Sequence, residues 1–393
     1  MRVLTAPLAA LLAGAALGSA QAAASCGEDF GVWKAAVADE AKAAGVGPTG
    51  LAALAGAKID PAVLERDRAQ TVFTQTFAEF SSRMINKYRL RQGAEKLKQY
   101  ADVFEQAEQE FGVPGPVVAA FWALETDFGA VQGDFDTLDA LVTLSHDCRR
   151  PELFKPQIVP LLTLIDRGSL PPDTKGAWAG EIGQTQILPT DYLERGVDGD
   201  GDGIVDLRKS APDVIMTTAN KLKSRGWKAG QPWLAEVRIP DTLPWEKTGR
   251  TIKLPISQWS AWGVTQRDGS PLPDNGLSAG LVLPMGHNGP AFLGYDNYDV
   301  YFEWNQSFVY TLTAAHLAAR LAGAPPFDRR NPDEGLAAET MKQLQQKLAG
   351  MGYDVGEIDG VLGTGTREAV RKEQARLGLP VDGWPTPALL ANL

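Results

Sequence analysis

A proline-rich polar segment, residues 324–333, is the feature that most limits how this chain of 393 residues can fold. It carries Pro325, Pro326 and Pro332, and proline neither continues a helix interior nor donates a hydrogen bond to a sheet. A segment of this composition is extended and stiff, as linkers between domains are. We therefore predict a large N-terminal region and a separate module over residues 334–393, which at about 60 residues is close to the lower size limit for independent folding.

The first part of the large region has mostly helical sequence patterns. Apolar residues recur at helical spacing across residues 27–165, for example in segments 61–83 and 93–111. Residues 112–116 interrupt this pattern with glycine and proline, and a new helix can begin there because proline is tolerated in a first turn.

The second part changes character. Residues 231–305 are rich in proline and tryptophan and contain short β-like runs at 281–283 and 300–302. An Ala/Leu-rich helix pattern returns at 308–323. The predicted fold class is therefore mainly α (α+β), with a small β-containing subdomain inside a helical region.

The N-terminus has the pattern of a secretory signal peptide over residues 1–24. Arg2 is followed by an apolar Ala/Leu stretch and then by small residues near Ala22 and Ala24. A membrane anchor is the alternative, but the apolar stretch is short for a span of roughly 20 residues. We predict secretion to the periplasm, where Cys26 and Cys148 can form a disulfide. Lipid attachment at Cys26, which would make an outer-membrane lipoprotein, is the minor alternative.

Composition excludes several function classes. The formal net charge is −10 and no basic patch is evident, so a nucleic-acid partner is not expected. The three histidines are too widely spaced for a local metal motif, and no phosphate-binding glycine loop is present.

One carboxylate stands out because of its apolar surroundings. On a helix over 117–129, Val118, Phe121, Trp122 and Glu125 would share one face. Desolvation favours the protonated form of a carboxyl group, and a protonated glutamate can donate a proton to a leaving oxygen. On spacing alone, a salt-bridged glutamate at a helix end remains the alternative. Asp127 would lie about 200° around the helix and is not expected to be a partner of Glu125.

Five segments in order resemble the B-type lytic murein transglycosylases. The first contains the Glu-Thr-x-x-Gly pattern around Glu125, and the second resembles the family's Cys-Arg-Arg segment. The others resemble its Gly-Ser-Trp-Ala-Gly stretch and its late Tyr/Asn-rich motifs. They occupy residues 121–129, 147–150, 176–190, 295–298 and 304–307. The resemblance covers residues 25–323 and implies a lysozyme-like helical catalytic domain.

The resemblance implies cleavage of peptidoglycan glycan strands between N-acetylmuramic acid and N-acetylglucosamine. Glu125 would act first as acid and then as base, and the product would end in a 1,6-anhydro ring with no cofactor required. The implied substrate-binding residues are Gln186, Tyr298, Trp304 and Asn305. Other cell-wall enzymes are possible partners.

The sequence departs from the family pattern at positions near this site. Ala177 replaces a usual serine, Lys221 replaces a tyrosine found in some members, and Glu181 replaces an alanine. Glu181 is interpreted as a surface charge, or alternatively as a second carboxylate near the cleft that would permit hydrolysis. Two other functions therefore stay open, a hydrolytic muramidase and a non-catalytic wall-binding protein.

The aspartate-rich segment 198–206 is similar to half of an EF-hand calcium loop. The candidate ligands of a structural calcium are Asp198, Asp200, Asp202, Asp206 and the carbonyl of Ile204. Position 12 of the loop is Lys209, where a calcium loop has glutamate. An acidic turn that binds nothing tightly is an equally weighted alternative.

The C-terminal module resembles a three-helix peptidoglycan-binding domain. Short amphipathic helical segments are separated by the Asp-Gly pairs 359–360 and 382–383. A helical tail that only packs on the large region is the alternative.

Overall fold

The computed structural model describes residues 25–69 and 75–393. The predicted signal peptide, residues 1–24, lies outside the described residues. None of the helices in the described part of the chain is both long and apolar enough to cross a membrane.

The N-terminal helices are α1 (Phe30–Ala43), α2 (Pro48–Gly56), α3 (Pro61–Arg68), α4 (Phe77–Met84), α5 (Lys87–Gln99), α6 (Ala101–Phe111), α7 (Gly115–Thr126), α8 (Thr137–His146) and α9 (Pro151–Asp166).

The remaining elements alternate between short strands and helices. In chain order the strands are β1 (Phe135–Asp136), β2 (Lys175–Gly176), β3 (Leu234–Arg238), β4 (Leu254–Pro255), β5 (Thr265–Gln266), β6 (Ser278–Val282) and β7 (Phe292–Gly294). The helices are α10 (Pro189–Arg195), α11 (Ala211–Ser224), α12 (Ile256–Ala261), α13 (Asp296–Trp304), α14 (Phe308–Leu321), α15 (Ala338–Gly350), α16 (Thr364–Arg376) and α17 (Pro387–Ala391). The predicted mainly α (α+β) class is confirmed.

Helix α7 lies at the centre of the large region. All of its side chains from Val117 to Leu124 are buried, because α5, α6, α11 and α14 pack around it. The chain can enter α7 sharply because Gly112 ends α6 in the left-handed conformation, with φ +74°. Residues 112–116 therefore end one helix and start the next, as predicted.

Two predicted helical segments are interrupted. Segment 61–83 contains α3 and α4 as separate helices, and segment 93–111 changes direction at Tyr100, which has φ −114° and ψ 32°. Apolar spacing continues across such breaks, so the pattern alone does not locate them.

Strands β3 to β7 form a five-stranded antiparallel sheet in the order β4-β6-β7-β3-β5. The sheet has its own core around Trp259, and it confirms the predicted β-containing subdomain. The β-like prediction for residues 300–302 was wrong, because these residues belong to α13. Three consecutive apolar residues do not distinguish a buried strand from a buried helix.

A disulfide joins Cys26 to Cys148, with 5.2 Å between their Cα atoms. It ties the start of the described chain to the segment that follows α8. The predicted pairing is therefore present in the structure.

Helices α15 to α17 pack around a small core of their own. Both Asp-Gly turns are fixed by a buried glutamine: Gln345 accepts from the Gly360 amide at 2.8 Å, and Gln374 accepts from the Gly383 amide at 2.8 Å. The turns that the sequence indicated therefore position the loops of the module.

The proline-rich linker follows the surface of the large region. The Asp328 amide donates to Glu236 at 2.7 Å, and the ring of Phe327 lies 4.9 Å from that of Phe77. The module itself also contacts this region, because Asp382 accepts from His287 Nδ1 at 2.6 Å. The linker is extended as expected, but it is held in place along its length.

Candidate active site

Glu125 is the one charged residue of the buried helix α7. The helix ends one residue later at Thr126, and Glu125 is half-buried while almost every residue around it on α7 is buried. The predicted helix and its apolar surroundings are both present. The carboxylate thus stands at the edge of the core, where one side can face solvent.

Two aromatic side chains donate hydrogen bonds to the same oxygen of Glu125. Trp304 Nε1 lies 2.9 Å from Glu125 Oε1, and the Tyr310 hydroxyl also donates to Oε1. Trp304 is at the end of α13 and Tyr310 is in the first turn of α14. Since Oε1 accepts twice, the proton of the neutral acid is placed on Oε2.

Burial raises the pKa of Glu125 from 4.5 to about 7. The hydrogen bonds from Tyr310 and Trp304 and the positive charge of Lys221 oppose this effect, while the negative charge of Glu181 adds to it. Burial outweighs the two donors because transferring a carboxylate away from water is costly. A carboxyl with a pKa near 7 can both give and take a proton at neutral pH.

Asp127 is occupied by an ion pair. It follows α7 in the left-handed conformation with φ 51°, and Arg89 Nε donates to its Oδ1 at 2.6 Å. The expectation that Asp127 is not a partner of Glu125 agrees with this geometry.

Gln184 supports the end of α7 and was not predicted. Its Oε1 accepts from Trp122 Nε1 at 2.9 Å, and its backbone oxygen accepts from the Thr126 hydroxyl. A side chain on Gly129 would clash with Gln184, since a Cβ there would lie 2.4 Å from Oε1. This contact gives a physical reason for the glycine in the Glu-Thr-x-x-Gly pattern.

The two charged departures, Lys221 and Glu181, both lie near the site. Lys221 on α11 is buried, and its Nζ is 3.3 Å from Asp191 Oδ2. Glu181 is half-buried, and burial raises its pKa while the charge of Lys221 opposes the rise. The two interpretations of Glu181, a surface charge and a second carboxylate near the cleft, both stay predictions.

Gln186 and Asn305 are both half-buried. Gln186 has φ +53°, and its side-chain Nε2 donates to the Gly183 carbonyl at 2.9 Å. Asn305 Oδ1 accepts from the Ser307 amide at 2.8 Å, which fixes the turn between α13 and α14. Asn305 therefore holds the turn that carries the two donors to Glu125.

The prediction that Tyr298 offers a face to a sugar was wrong. Its side chain has no exposed surface, and its ring packs edge-on to Phe302 at 5.5 Å. Tyr298 and Trp304 are six residues apart on α13, so they point in directions about 120° apart around the helix. One faces the core, and the other, Trp304, reaches Glu125.

Comparison with known families decides the class of the protein. Residues 29–319 match the family model described as the Transglycosylase SLT domain. The chain belongs to this SLT transglycosylase family. Residues 338–393 match a peptidoglycan binding domain. The resemblance stated from the sequence motifs, and the assignment to an enzyme class, are thereby confirmed.

One curated member of the SLT transglycosylase family is membrane-bound lytic murein transglycosylase B of Escherichia coli. It is 30% identical to this chain over 245 residues, which make up 62% of this chain. The aligned part spans 66% of that relative, slightly less than two thirds of its length.

Solved SLT transglycosylases have the same fold. SltB3 from Pseudomonas aeruginosa, in complex with NAG-anhNAM-pentapeptide, is 37% identical with a TM-score of 0.84, covering 93% of this chain and 99% of that one. Escherichia coli Slt35 in complex with calcium is 27% identical with a TM-score of 0.63, covering 74% of this chain and 92% of that one. The predicted lysozyme-like helical fold is confirmed by these likenesses.

The acidic loop of this SLT transglycosylase brings together three of its four aspartates. Carboxylate oxygens of Asp198, Asp200 and Asp202 lie within 4.8 Å of one another. Asp206 does not join them, because its Oδ1 accepts from the amides of Arg208 and Lys209 at 2.9 and 3.1 Å. The prediction of Asp206 as a side-chain ligand was therefore wrong.

Proposed function

We propose that the protein is a lytic transglycosylase that cleaves the β-1,4 bond between N-acetylmuramic acid and N-acetylglucosamine in peptidoglycan, with Glu125 as general acid and then general base. The observation that carries this proposal is the environment of Glu125. Burial brings its pKa to about 7, and Oε1 receives two hydrogen bonds, which leaves Oε2 to exchange the proton.

The first step is proton donation to the glycosidic oxygen. Glu125 Oε2 gives its proton as the bond between that oxygen and C1 of N-acetylmuramic acid breaks. Glu125 becomes a carboxylate, which the Trp304 and Tyr310 donors and the Lys221 charge stabilise. The N-acetyl group of the substrate stabilises the positive charge at C1, a substrate-assisted route.

The second step closes the anhydro ring. The ionised Glu125 takes the proton of the sugar's 6-hydroxyl as that oxygen forms a bond to C1. The proton lost in the first step is thus restored, and no water is consumed. No second carboxylate is required, which agrees with the pairing of Asp127 to Arg89.

The solved relatives support the substrate class. SltB3 was crystallised in complexes with NAG-anhNAM-pentapeptide and with NAG-NAM-pentapeptide, which are peptidoglycan fragments. The former contains the anhydro sugar that the proposed second step produces.

Hydrolysis is the second candidate function, because Glu181 places another desolvated carboxyl near Glu125. A hydrolase would deliver water to C1 and release a reducing end, whereas a transglycosylase releases an anhydro end that is lighter by one water. The products therefore distinguish the two reactions.

The deciding experiment is digestion of purified peptidoglycan followed by mass analysis of the soluble fragments. We expect anhydro ends from the wild type, no fragments from Glu125→Gln, and normal digestion by Glu110→Gln, an exposed glutamate at the end of α6. Reducing ends would select the hydrolase. A folded wild type that releases nothing would select the non-catalytic wall-binding function.

The C-terminal module contributes, in this proposal, by holding the enzyme on its insoluble substrate. A second contact with the same polymer raises the effective concentration of glycan at the cleft. Its match to a peptidoglycan binding domain supports this role. Binding of the catalytically inactive Glu125→Gln protein to sacculi, with and without residues 334–393, tests it.

We also propose that the acidic loop binds calcium weakly and structurally. Three carboxylates are close enough to share one ion, and a related Slt35 structure contains calcium. The loop fits calcium only in part, since Asp206 caps the following turn and Lys209 provides no bidentate ligand. Calorimetric titration with Ca²⁺ alone should give a weak signal that Asp200→Asn removes.

Export to the periplasm is the proposed location. The disulfide supports it, because such bonds persist in oxidising compartments. It also opposes the lipoprotein alternative, because the sulfur of Cys26 cannot carry a lipid while it is bonded to Cys148. Mass analysis of the mature protein from a periplasmic fraction tests both points.

A further inference from the structure

Lys221 is held in the protein interior by a buried aspartate. Its side chain is 8% exposed, and its Nζ lies 3.3 Å from Asp191 Oδ2. The same carboxylate accepts from Arg225 at 3.1 Å and lies 3.6 Å from Arg195 Nε. Asp191 therefore keeps charged partners even when Lys221 is replaced by a neutral residue.

The ammonium group of Lys221 lies against the indole that binds Glu125. Lys221 Nζ is 4.0 Å from the centroid of the Trp304 ring, a short cation–π contact. The Phe121 ring lies 4.3 Å from the Trp304 ring. The indole is thus fixed by neighbouring groups while its Nε1 donates to Glu125 Oε1 at 2.9 Å.

From this arrangement we propose that Lys221 is a positioning residue that fixes the Trp304 indole against Glu125. The inference rests on the proposed function, because it concerns the same acid. Without the ammonium group of Lys221 the indole would lose one of the groups that pack against it, and its hydrogen bond to Glu125 would be held less firmly.

Four groups from different elements face or act on the carboxyl of Glu125. Lys221 on α11 lowers the pKa of Glu125 and Glu181 in the loop before α10 raises it. Tyr310 on α14 and Trp304 on α13 face the same carboxyl as neutral donors. Burial raises the pKa of the Tyr310 hydroxyl, so it stays neutral across the working range.

Charged groups from several elements act on the ammonium group of Lys221. Burial lowers its pKa, while Asp191 on α10 and Glu125 on α7 oppose that effect. Arg225, which directly follows α11, lowers it further. Glu181 completes the set, because the Lys221 charge acts on its carboxyl as well.

The test compares Lys221→Met with the control Lys223→Met. Methionine keeps most of the length of lysine without its charge, and Lys223 is exposed on the same helix. The alkaline limb of kcat/KM on soluble glycan strands reports the ionisation of the free acid. We expect this limb to move to higher pH by about one unit in Lys221→Met, because the nearby positive charge is lost and the Trp304 donor is held less firmly. Lys223→Met should leave the limb where it is in the wild type.

A direct titration separates this inference from the proposed function. The Glu125 carboxyl can be followed by ¹³C NMR in glutamate-labelled protein, with its signal assigned from Glu125→Gln, and this readout needs no activity. A shift of the Glu125 titration to higher pH in Lys221→Met, absent in Lys223→Met, supports the inference even if the enzyme forms reducing ends. An unmoved titration in Lys221→Met with lower kcat at every pH, or a shift to lower pH, would overturn it and leave Lys221 with a merely structural role.

Discussion

Replacing Glu125 with glutamine should abolish catalysis and stabilise the fold at the same time. The amide keeps an oxygen that can accept from Trp304 and Tyr310, so the hydrogen bonds to Oε1 survive. It cannot deliver and recover a proton, and general acid–base catalysis contributes about 10²- to 10⁴-fold in rate. The fold gains because an ionised carboxylate no longer has to be buried.

The stability effect has a defined sign and size. The pKa of Glu125 is about 7 in the folded protein and 4.5 when exposed, so the folded state binds its proton more tightly. The resulting stabilisation is present below pH 4.5 and is lost as the pH rises from 4.5 through 7. Each pKa unit corresponds to about 1.4 kcal/mol, so the wild type loses at most about 3 kcal/mol over this range relative to Glu125→Gln.

Thermal and denaturant unfolding of both proteins between pH 4 and pH 8 measures this difference. We expect nearly equal stability at pH 4 and a glutamine variant that is more stable by up to about 3 kcal/mol at pH 8. Other titrating groups are common to both proteins and cancel in the comparison. A difference that is independent of pH would refute the reasoning, because it would mean that Glu125 titrates alike in the folded and unfolded chain.

Three further changes are expected to have measurable effects. Tyr310→Phe removes a hydrogen-bond donor to the ionised form of Glu125, so the alkaline limb of kcat/KM should move to higher pH by about one unit while kcat falls. An alkaline limb at the wild-type pH would contradict the assigned hydrogen bond. Replacing both Cys26 and Cys148 by serine removes a link between residues 122 apart in the chain, and denaturant unfolding should show a free energy of unfolding lower by up to about 5 kcal/mol. An unchanged free energy of unfolding would mean that the disulfide does not form. Deleting residues 334–393 should reduce activity on whole sacculi about tenfold more than on short soluble glycans, and equal losses with a lower melting point would indicate a purely structural module.

The sequence predicted those parts of the fold that depend on local pattern. Helix α7, the break at residues 112–116 and α14, the last helix of the large region, follow from apolar spacing and from glycine and proline. The end of α3 at Arg68 inside segment 61–83 and the break at Tyr100 inside segment 93–111 did not follow, because apolar spacing alone does not locate helix ends. Local pattern similarly misassigned residues 300–302, where helix packing decides the structure of a short apolar run.

The catalytic candidate could be predicted, but most of its environment could not. Glu125 was identified from its helix and its family motif, whereas its two donors are 179 and 185 residues away in the chain. Spacing rules describe neighbours within a few helical turns and say nothing about such contacts. Tyr310 had no local signal at all, and Gln184 was hidden within a motif whose resemblance pointed to Gln186 instead.

The two donors to Glu125 depend on a single turn, and this changes what the Tyr/Asn-rich motif means. Trp304 ends α13, Tyr310 lies in the first turn of α14, and Asn305 and Ser307 cap the segment between them. Tyr298, in the same motif, is buried and anchors α13 in the core. The motif therefore acts mainly by holding two hydrogen-bond donors at a fixed distance from one carboxylate oxygen. In the proposed mechanism, this preorganised pair of donors would stabilise the ionised Glu125 formed after proton donation without having to reorganise during the reaction. This explains why these residues matter to the acid on α7 although several of them cannot reach a sugar.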